Sequence, residues 1–517
     1  MTSESMVFLE QPSVMMLMLS ILLFWAAKIR KCCECSATIA IFRTFAALKN
    51  EGNVEQIDRT KELETKGIGA LLFAYAIPSV ISQIIASVYN IADRIFIGQG
   101  VGALAIAGLA VTFPVMNIIH AFGALVGVGA SARMSIVLGQ KDVRWAEKIL
   151  GNSMLLTFLL GAFFLTFGYL FLDDILIKFG ATAGTVAYAR EYMLIVFPGM
   201  FLTTLTYNLT SLMRASGYPS KSMFILAGGA ILNMILDPLF IFVFHWGIAG
   251  AAWATTISMA MTAVVSVAHF MSPKSFIRFR AHAWPPKGYI FKNITMIGLS
   301  PFLMNVAAAG VVAILNRQLG RFGGDMAIGA YGIINSLAHL LVMIILGVCQ
   351  GMQPIAGYNY GAGHNDRLKH VYRLTMQICV LIGAVGSLLG CLIPQYLVRA
   401  FTSDANLIAI AAHATPYLMV MFPLIGFTIT NSNFFQSIDK PWIAIVTSLS
   451  RQVIFLIPLC YVMPQIYLAA GFNGLSGVWM SCTISDVMGA VLAALLLWSQ
   501  RRIFVDENNI ATEKKSR

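Results

Sequence analysis

Twelve apolar stretches, each long enough to cross a bilayer, dominate this chain and leave it few ways to fold. They cover about 68–97, 103–131, 149–171, 187–212, 222–245, 248–271, 294–318, 326–352, 371–396, 408–434, 442–464 and 474–499. A spanning helix needs about 20 mostly apolar residues. These stretches are continuous and do not alternate in segments of about ten, so they specify helices and not the strands of a β-barrel. The expected fold is an all-α polytopic membrane protein with twelve transmembrane helices. Of 517 residues, 58% are hydrophobic and only 11% charged, with a mean hydropathy of +0.77. A soluble domain carries about 25% charged residues and needs them at its surface. Disorder, collagen, repeat solenoids and a soluble enzyme are therefore excluded.

The net charge of +12 does not point to nucleic acid, because the basic residues sit in short clusters between apolar stretches. Twenty Lys and Arg residues fall in loops on one side of the membrane, among them Arg133, Lys141, Arg214, Arg280, Arg367 and Lys440. The other side has six: Arg94, Lys178, Arg190, Arg317, Arg321 and Arg399. Basic loops stay in the cytoplasm, so both ends of the twelve-helix core are expected there, in a multi-pass protein of the cell (inner) membrane. The lipid bilayer is its expected surrounding, and the chain reads as a monomer. Cys349, Cys379, Cys391, Cys460 and Cys482 lie singly in apolar runs and read as packing residues.

Residues 1–56 stand outside this pattern. Residues 14–27 are apolar but too few to span, and Lys28, Arg30 and Lys31 follow. No small-residue cleavage site comes next, so the segment reads as an over-long start or a dispensable extension. The rest divides into an N-lobe at 57–271, a cytoplasmic linker at 272–293, a C-lobe at 294–500 and a cytoplasmic tail at 501–517.

The two lobes repeat one another. Leu104-Ala105-Ile106 returns as Met326-Ala327-Ile328, Gly139 as Gly361, Phe179 as Phe401 and Pro219 as Pro441, each at an offset of 222 residues. Gly247-Ile248-Ala249-Gly250 is matched by Gly474-Leu475-Ser476-Gly477. Each repeat has six spans, an even number, so both enter the membrane from the same side. They form two six-helix bundles related by a pseudo-two-fold axis along the membrane normal, with substrate expected between them.

Four segments then carry a resemblance to a family. They are Tyr89-Asn90-Ile91-Ala92-Asp93-Arg94-Ile95-Phe96-Ile97-Gly98, Arg214-Ala215-Ser216-Gly217-Tyr218-Pro219, Asn233-Met234-Ile235-Leu236-Asp237-Pro238 and Gly250-Ala251-Ala252-Trp253-Ala254-Thr255. Over about residues 57–500 the chain resembles the multidrug and toxic compound extrusion (MATE) family, within a larger group that includes polysaccharide and lipid flippases. The resemblance implies secondary active efflux of organic cations or drug-like compounds by antiport with Na+ or H+, without a cofactor. It also implies a cation site in the amino-terminal lobe.

The intramembrane polar residues agree with it. A carboxylate at membrane depth is costly and marks a functional site by default; the spans hold Asp93, Asp237 and Asp486. At about 1.5 Å per residue, Asp93 lies roughly 8 Å below the outer end of its span, Asp237 roughly 13 Å and Thr255 roughly 12 Å. Asn233 and Asp237, spaced i and i+4, share a helix face. Pro238 lacks an N–H and frees the Met234 carbonyl as a further acceptor. Such an acceptor-rich set suits Na+, or a proton shared by coupled carboxylates.

Gln83, Asn90, Tyr207, Asn208, Asn335, His339, Asn431 and Gln436 are candidates for a substrate path. Interhelical hydrogen bonding is the plain alternative for each. The C-lobe spans seven and ten carry amides but no carboxylate. The norfloxacin-exporter branch of the family places acidic ligands there, so the chain stands nearer the DinF-like/MepA-like branch, coupled through the N-lobe. Asp486 is expected to neutralise Arg451. The 27 Met and 34 Phe residues suit a cavity for varied apolar cations. No Walker, HExxH or GxSxG sequence occurs, so the chain reads as no enzyme, and ATP hydrolysis is not expected to drive it. A flippase of the same larger group, or a non-transporting membrane sensor, are the other readings.

Overall fold

In the computed structural model, residues 61–182 and 184–504 are described, and among them every regular element is a helix. The expectations for residues 1–56, and for the tail beyond 504, lie outside the described residues. A short helix, Lys61–Thr65, precedes the first span, Ile68–Gly100, which is followed by Ala103–Gly139, Val143–Leu170 and Val186–Ala215. The fifth span, Pro219–Pro238, continues as a π-helical stretch, Leu239–Val243, and the sixth is Gly247–Met271. A linker then leads to one helix of 74 residues, Gly288–Gly361. Straight, it would measure about 110 Å, against a hydrocarbon core of about 30 Å. It breaks at Gly324, whose φ of 65° and ψ of −166° are non-helical, and so supplies spans seven and eight. The ninth span is Asn365–Leu392. The tenth is Ala405–Met419 with Phe422–Ser437, bent by 47° between them. The eleventh runs Pro441–Leu449, through a π-helical stretch at Ser450–Leu456, to Ile457–Ala469; the twelfth is Gly474–Ser499. Among the described residues twelve spans result, as the hydropathy requires.

Two of them run furthest past the ends of their apolar stretches. The second reaches Gly139 and the eighth Gly361, well beyond residues 131 and 352. The extra turns hold polar groups such as Ser135 and Asn359, which hydropathy discounts, but both are buried. Ser135 packs against Gly357 of the other lobe, Asn359 Oδ1 accepts from Arg367 Nε of its own lobe, and the two spans cross just beyond. A Cβ on Gly139 would stand 2.1 Å from the Tyr358 carbonyl oxygen, and one on Gly361 2.0 Å from that of Ile136. Only glycine lets the second and eighth spans cross this closely.

The hydrophobic core shows how the lobes meet. Towards the basic loops one core runs through both, joining Leu125, Met134 and Leu212 of the N-lobe to Ile294, Met352 and Phe434 of the C-lobe. Towards the other face it divides. One core lies wholly in the N-lobe, around Ile97, Tyr192 and Ile248, and another wholly in the C-lobe, around Leu315, Tyr331 and Trp479. Phe122 meets Phe302 across the lobes, with ring centroids 4.6 Å apart. The lobes are closed on the basic face and part towards the other.

Candidate cation site

Three N-lobe spans bring four polar side chains together. Asn233 and Asp237 stand one turn apart on the fifth span. The Asn233 Nδ2 group donates to Asp237 Oδ1 at 3.3 Å and to Thr255 Oγ1 of the sixth span at 3.2 Å. Asp93, on the first span, is an electrostatic neighbour of Asp237, and Tyr89 is a neighbour of both. All four are buried, Asp237 completely and Asp93 to 9% exposure. Arg94, next to Asp93 in the chain, has its guanidinium 5.1 Å from the centre of the Phe113 ring.

The accounting of acceptors is the informative part. Buried polar atoms are nearly always hydrogen-bonded. Here Asp93 Oδ1, Asn233 Oδ1 and Asp237 Oδ2 are all buried without a partner. The one amide that could donate has used both protons. What is left is three unsatisfied oxygens, two of them on carboxylates, in a low-dielectric interior where leaving them so is costly. An oxygen-only set suits a hard cation, or a proton. Immediately after Asp237, Pro238 opens the π-helical stretch. Such widened turns are frequent at functional sites.

Sequence reasoning missed two members. Tyr89 is one turn before Asp93, a spacing that was visible. Tyr192, from the fourth span, is a neighbour of Thr255 and of both carboxylates; an aromatic in an apolar run gave no sign of it.

The path candidates separate into two groups. Asn208 is fully buried and donates to Ser153 Oγ and Thr157 Oγ1 of the third span, at 3.2 and 3.1 Å. Asn431 Oδ1 accepts from the Tyr372 hydroxyl at 2.9 Å, and Gln436 Nε2 donates to Ser300 Oγ at 3.1 Å. These three amides join helices within a lobe. Asn90, Asn335 and His339 are exposed, while Gln83 and Tyr207 are half-buried. Asn90 Nδ2 donates to the Ala86 carbonyl of its own helix at 2.6 Å. In the C-lobe, Arg451 Nη1 meets Asp486 Oδ1 at 3.1 Å, the expected neutralisation.

Comparison with known proteins fits this architecture. The MatE family model matches twice, over residues 78–239 and 301–462, once in each repeat. The chain belongs to the MatE family. A relative named multidrug export protein MepA, from Staphylococcus aureus (strain MSSA476), is 28% identical to this MatE chain over 437 residues, 84% of this chain and 95% of its own length. A second protein of that name, from Staphylococcus haemolyticus (strain JCSC1435), is 26% identical over 449 residues, 86% of this chain and 97% of its own. Two solved structures share the fold of this MatE chain at 23% identity. One is an outward-facing multidrug resistance MATE family transporter of the MOP superfamily, with TM-score 0.79 over 88% of this chain and 99% of that one. The other is MATE in a bent conformation, with TM-score 0.81 over 88% and 100%.

Proposed function

We propose that this chain is a secondary active multidrug efflux transporter that exports organic cations or drug-like compounds in exchange for Na+ or H+. Asp93, Asn233, Asp237 and Thr255 form its coupling site. The observation that carries this reading is the set of three buried oxygens without a donor, in a family whose curated relatives are named for multidrug export. A cation or proton there satisfies the carboxylates and draws the first, fifth and sixth spans together around it. Substrate occupies the cleft between the lobes and favours the state in which those oxygens are empty. Exchange follows if each ligand prefers a different state, since a ligand shifts an equilibrium only by its differential affinity. The exposed or half-buried Gln83, Asn90, Tyr207, Asn335 and His339 remain the side chains assigned to the substrate path. Asn208, Asn431 and Gln436 act at one remove, by fixing helices within a lobe.

The basic face is assigned to the cytoplasm by its loop charges, which makes the described state outward-facing, with the protein working as a monomer in the cell (inner) membrane. A flippase for phosphate-linked lipids needs free intramembrane cations. Arg451 is held by Asp486, which favours the exporter.

The test is ethidium movement in liposomes under an imposed Na+ or pH gradient. Transport should follow one gradient and vanish in Asp93→Asn and Asp237→Asn, both still folded and inserted. Gradient-driven transport that survives Asp237→Asn would remove the site assignment.

A further inference from the structure

Four turns on the basic face are built to one plan. Each ends a span with a hydrogen bond reaching back five residues: Asp142 N to the Val137 carbonyl and Tyr218 N to Met213 in the N-lobe, His364 N to Asn359 and Lys440 N to Phe435 in the C-lobe. The second pair repeats the first at the 222-residue offset. Turns of this kind need a left-handed residue just past the helix, and glycine is the usual choice because it has no Cβ to strain. Gly217 (φ 95°) and Gly363 (φ 74°) follow the rule. Their partners in the opposite repeat break it: Asp439 stands where Gly217 stands, at φ 59°, and Lys141 stands where Gly363 stands, at φ 61°.

Both exceptions are charged, and both face the seam between the lobes. Asp439 Oδ2 lies 2.9 Å from Arg133 Nη1. Arg133 belongs to the second span and Asp439 to the turn before the eleventh, so this ion pair joins N-lobe to C-lobe. Lys141 Nζ lies 3.7 Å from Glu64 Oε2, and the Tyr358 hydroxyl of the eighth span donates to that same oxygen at 3.3 Å. The Arg133 side chain is 17% exposed, against 73% for Lys141, so the Asp439 pair is the shielded one and the Lys141 contact is open to salt screening. A strained backbone position persists only where something else holds it. At Asp439 that is the carboxylate's reach to Arg133.

We infer that Arg133 and Asp439 form a latch between the lobes that sets how readily the basic face opens, built by placing a charge where the repeat otherwise uses glycine. The latch must break each time substrate is taken up from that face, so it tunes the population of the two facing states and not the affinity of the cation site. It rests on the alternating-access reading given above. Its test needs neither cation nor substrate, so a failed transport assay and a failed latch are distinguishable.

Spin labels at Arg144→Cys and His370→Cys, exposed positions at the starts of the third and ninth spans, report the gap between the lobes. The full chain is used, in nanodiscs, with native cysteines replaced. Asp439→Asn removes the charge but keeps a side chain that tolerates the left-handed turn. It should raise the long-distance, open population about fivefold, the size a partly exposed ion pair can supply. Asp439→Gly should do the same without lowering the melting temperature, because glycine relieves the turn. Arg133→Gln should match Asp439→Asn, and the double variant should shift no further than either single one, as for two ends of one contact. Unchanged distances in Asp439→Asn, or fully additive shifts in the double variant, would overturn the latch.

Discussion

The fifth and eleventh spans occupy the same place in the two repeats, and both widen into a π-helical stretch. What they do with it differs. In the N-lobe the widened turn follows Asp237, and three oxygens around it have no donor. In the C-lobe the widened turn contains Arg451, which supplies its own cation to Asp486 of the twelfth span at 3.1 Å. Gly489, one turn beyond Asp486, gives that span room: a Cβ there would lie 2.9 Å from Arg451 Cβ. One scaffold has been filled in two ways. A tethered cation makes the C-lobe pair a brace; the N-lobe cluster has no such side chain, which is why it is the proposed coupling site. Duplication fixes where a polar group can be put, and the residue chosen decides whether its charge is answered within the lobe.

The sharpest way to break this comparison is to remove one partner on each side. Arg451→Met leaves a buried carboxylate alone and should cost about 3–5 kcal/mol, whereas replacing both partners by apolar residues, Arg451→Met with Asp486→Leu, should recover most of it. Melting temperatures of the purified variants decide this. Asp237→Asn should leave the melting temperature unchanged or raised, because it removes a buried carboxylate that has no cationic side chain paired with it. Were Asp237→Asn as damaging to stability as Arg451→Met, the two lobes would not differ in the way described.

A smaller effect contrasts the seam between lobes with the interior of one. A Cβ on Gly298 would stand 1.8 Å from the Leu125 carbonyl oxygen, where only backbone can give way, whereas one on Gly228 would meet nothing nearer than Met261 Cε at 3.8 Å. Gly298→Ala should therefore cost about 1–3 kcal/mol, and Gly228→Ala should be neutral or slightly stabilising. Denaturation of both in the same detergent checks the ranking. A modest functional effect is expected at Thr255→Ala. Losing one hydroxyl acceptor is worth about 1 kcal/mol, read as about a fivefold rise in the cation concentration that half-saturates transport.

Hydropathy made the spans legible because twenty apolar residues have no other stable use. Their ends were less so. The second and eighth spans continue through Ser135 and Asn359 because they pack on one another at Gly139 and Gly361, and a contact between residues so far apart in the chain leaves no local trace. Neither the bend after Met419 nor the two π-helical stretches could be read, since both arise from how neighbouring helices pack. Within the candidate site, Asn233 and Asp237 showed themselves by spacing, and Thr255 by depth. Asn208, Asn431 and Gln436 were harder to place: an amide within a span looks the same whether it faces a cleft or the next helix.

The crossing of the second and eighth spans at Gly139 and Gly361 has a mechanical consequence. Backbone rests on backbone there, with no side chain between to slide or fold away. Such a contact leaves no slack to take up, so the two spans cannot slide past one another along this crossing, and any opening of the basic face has to lift one backbone off the other as a unit.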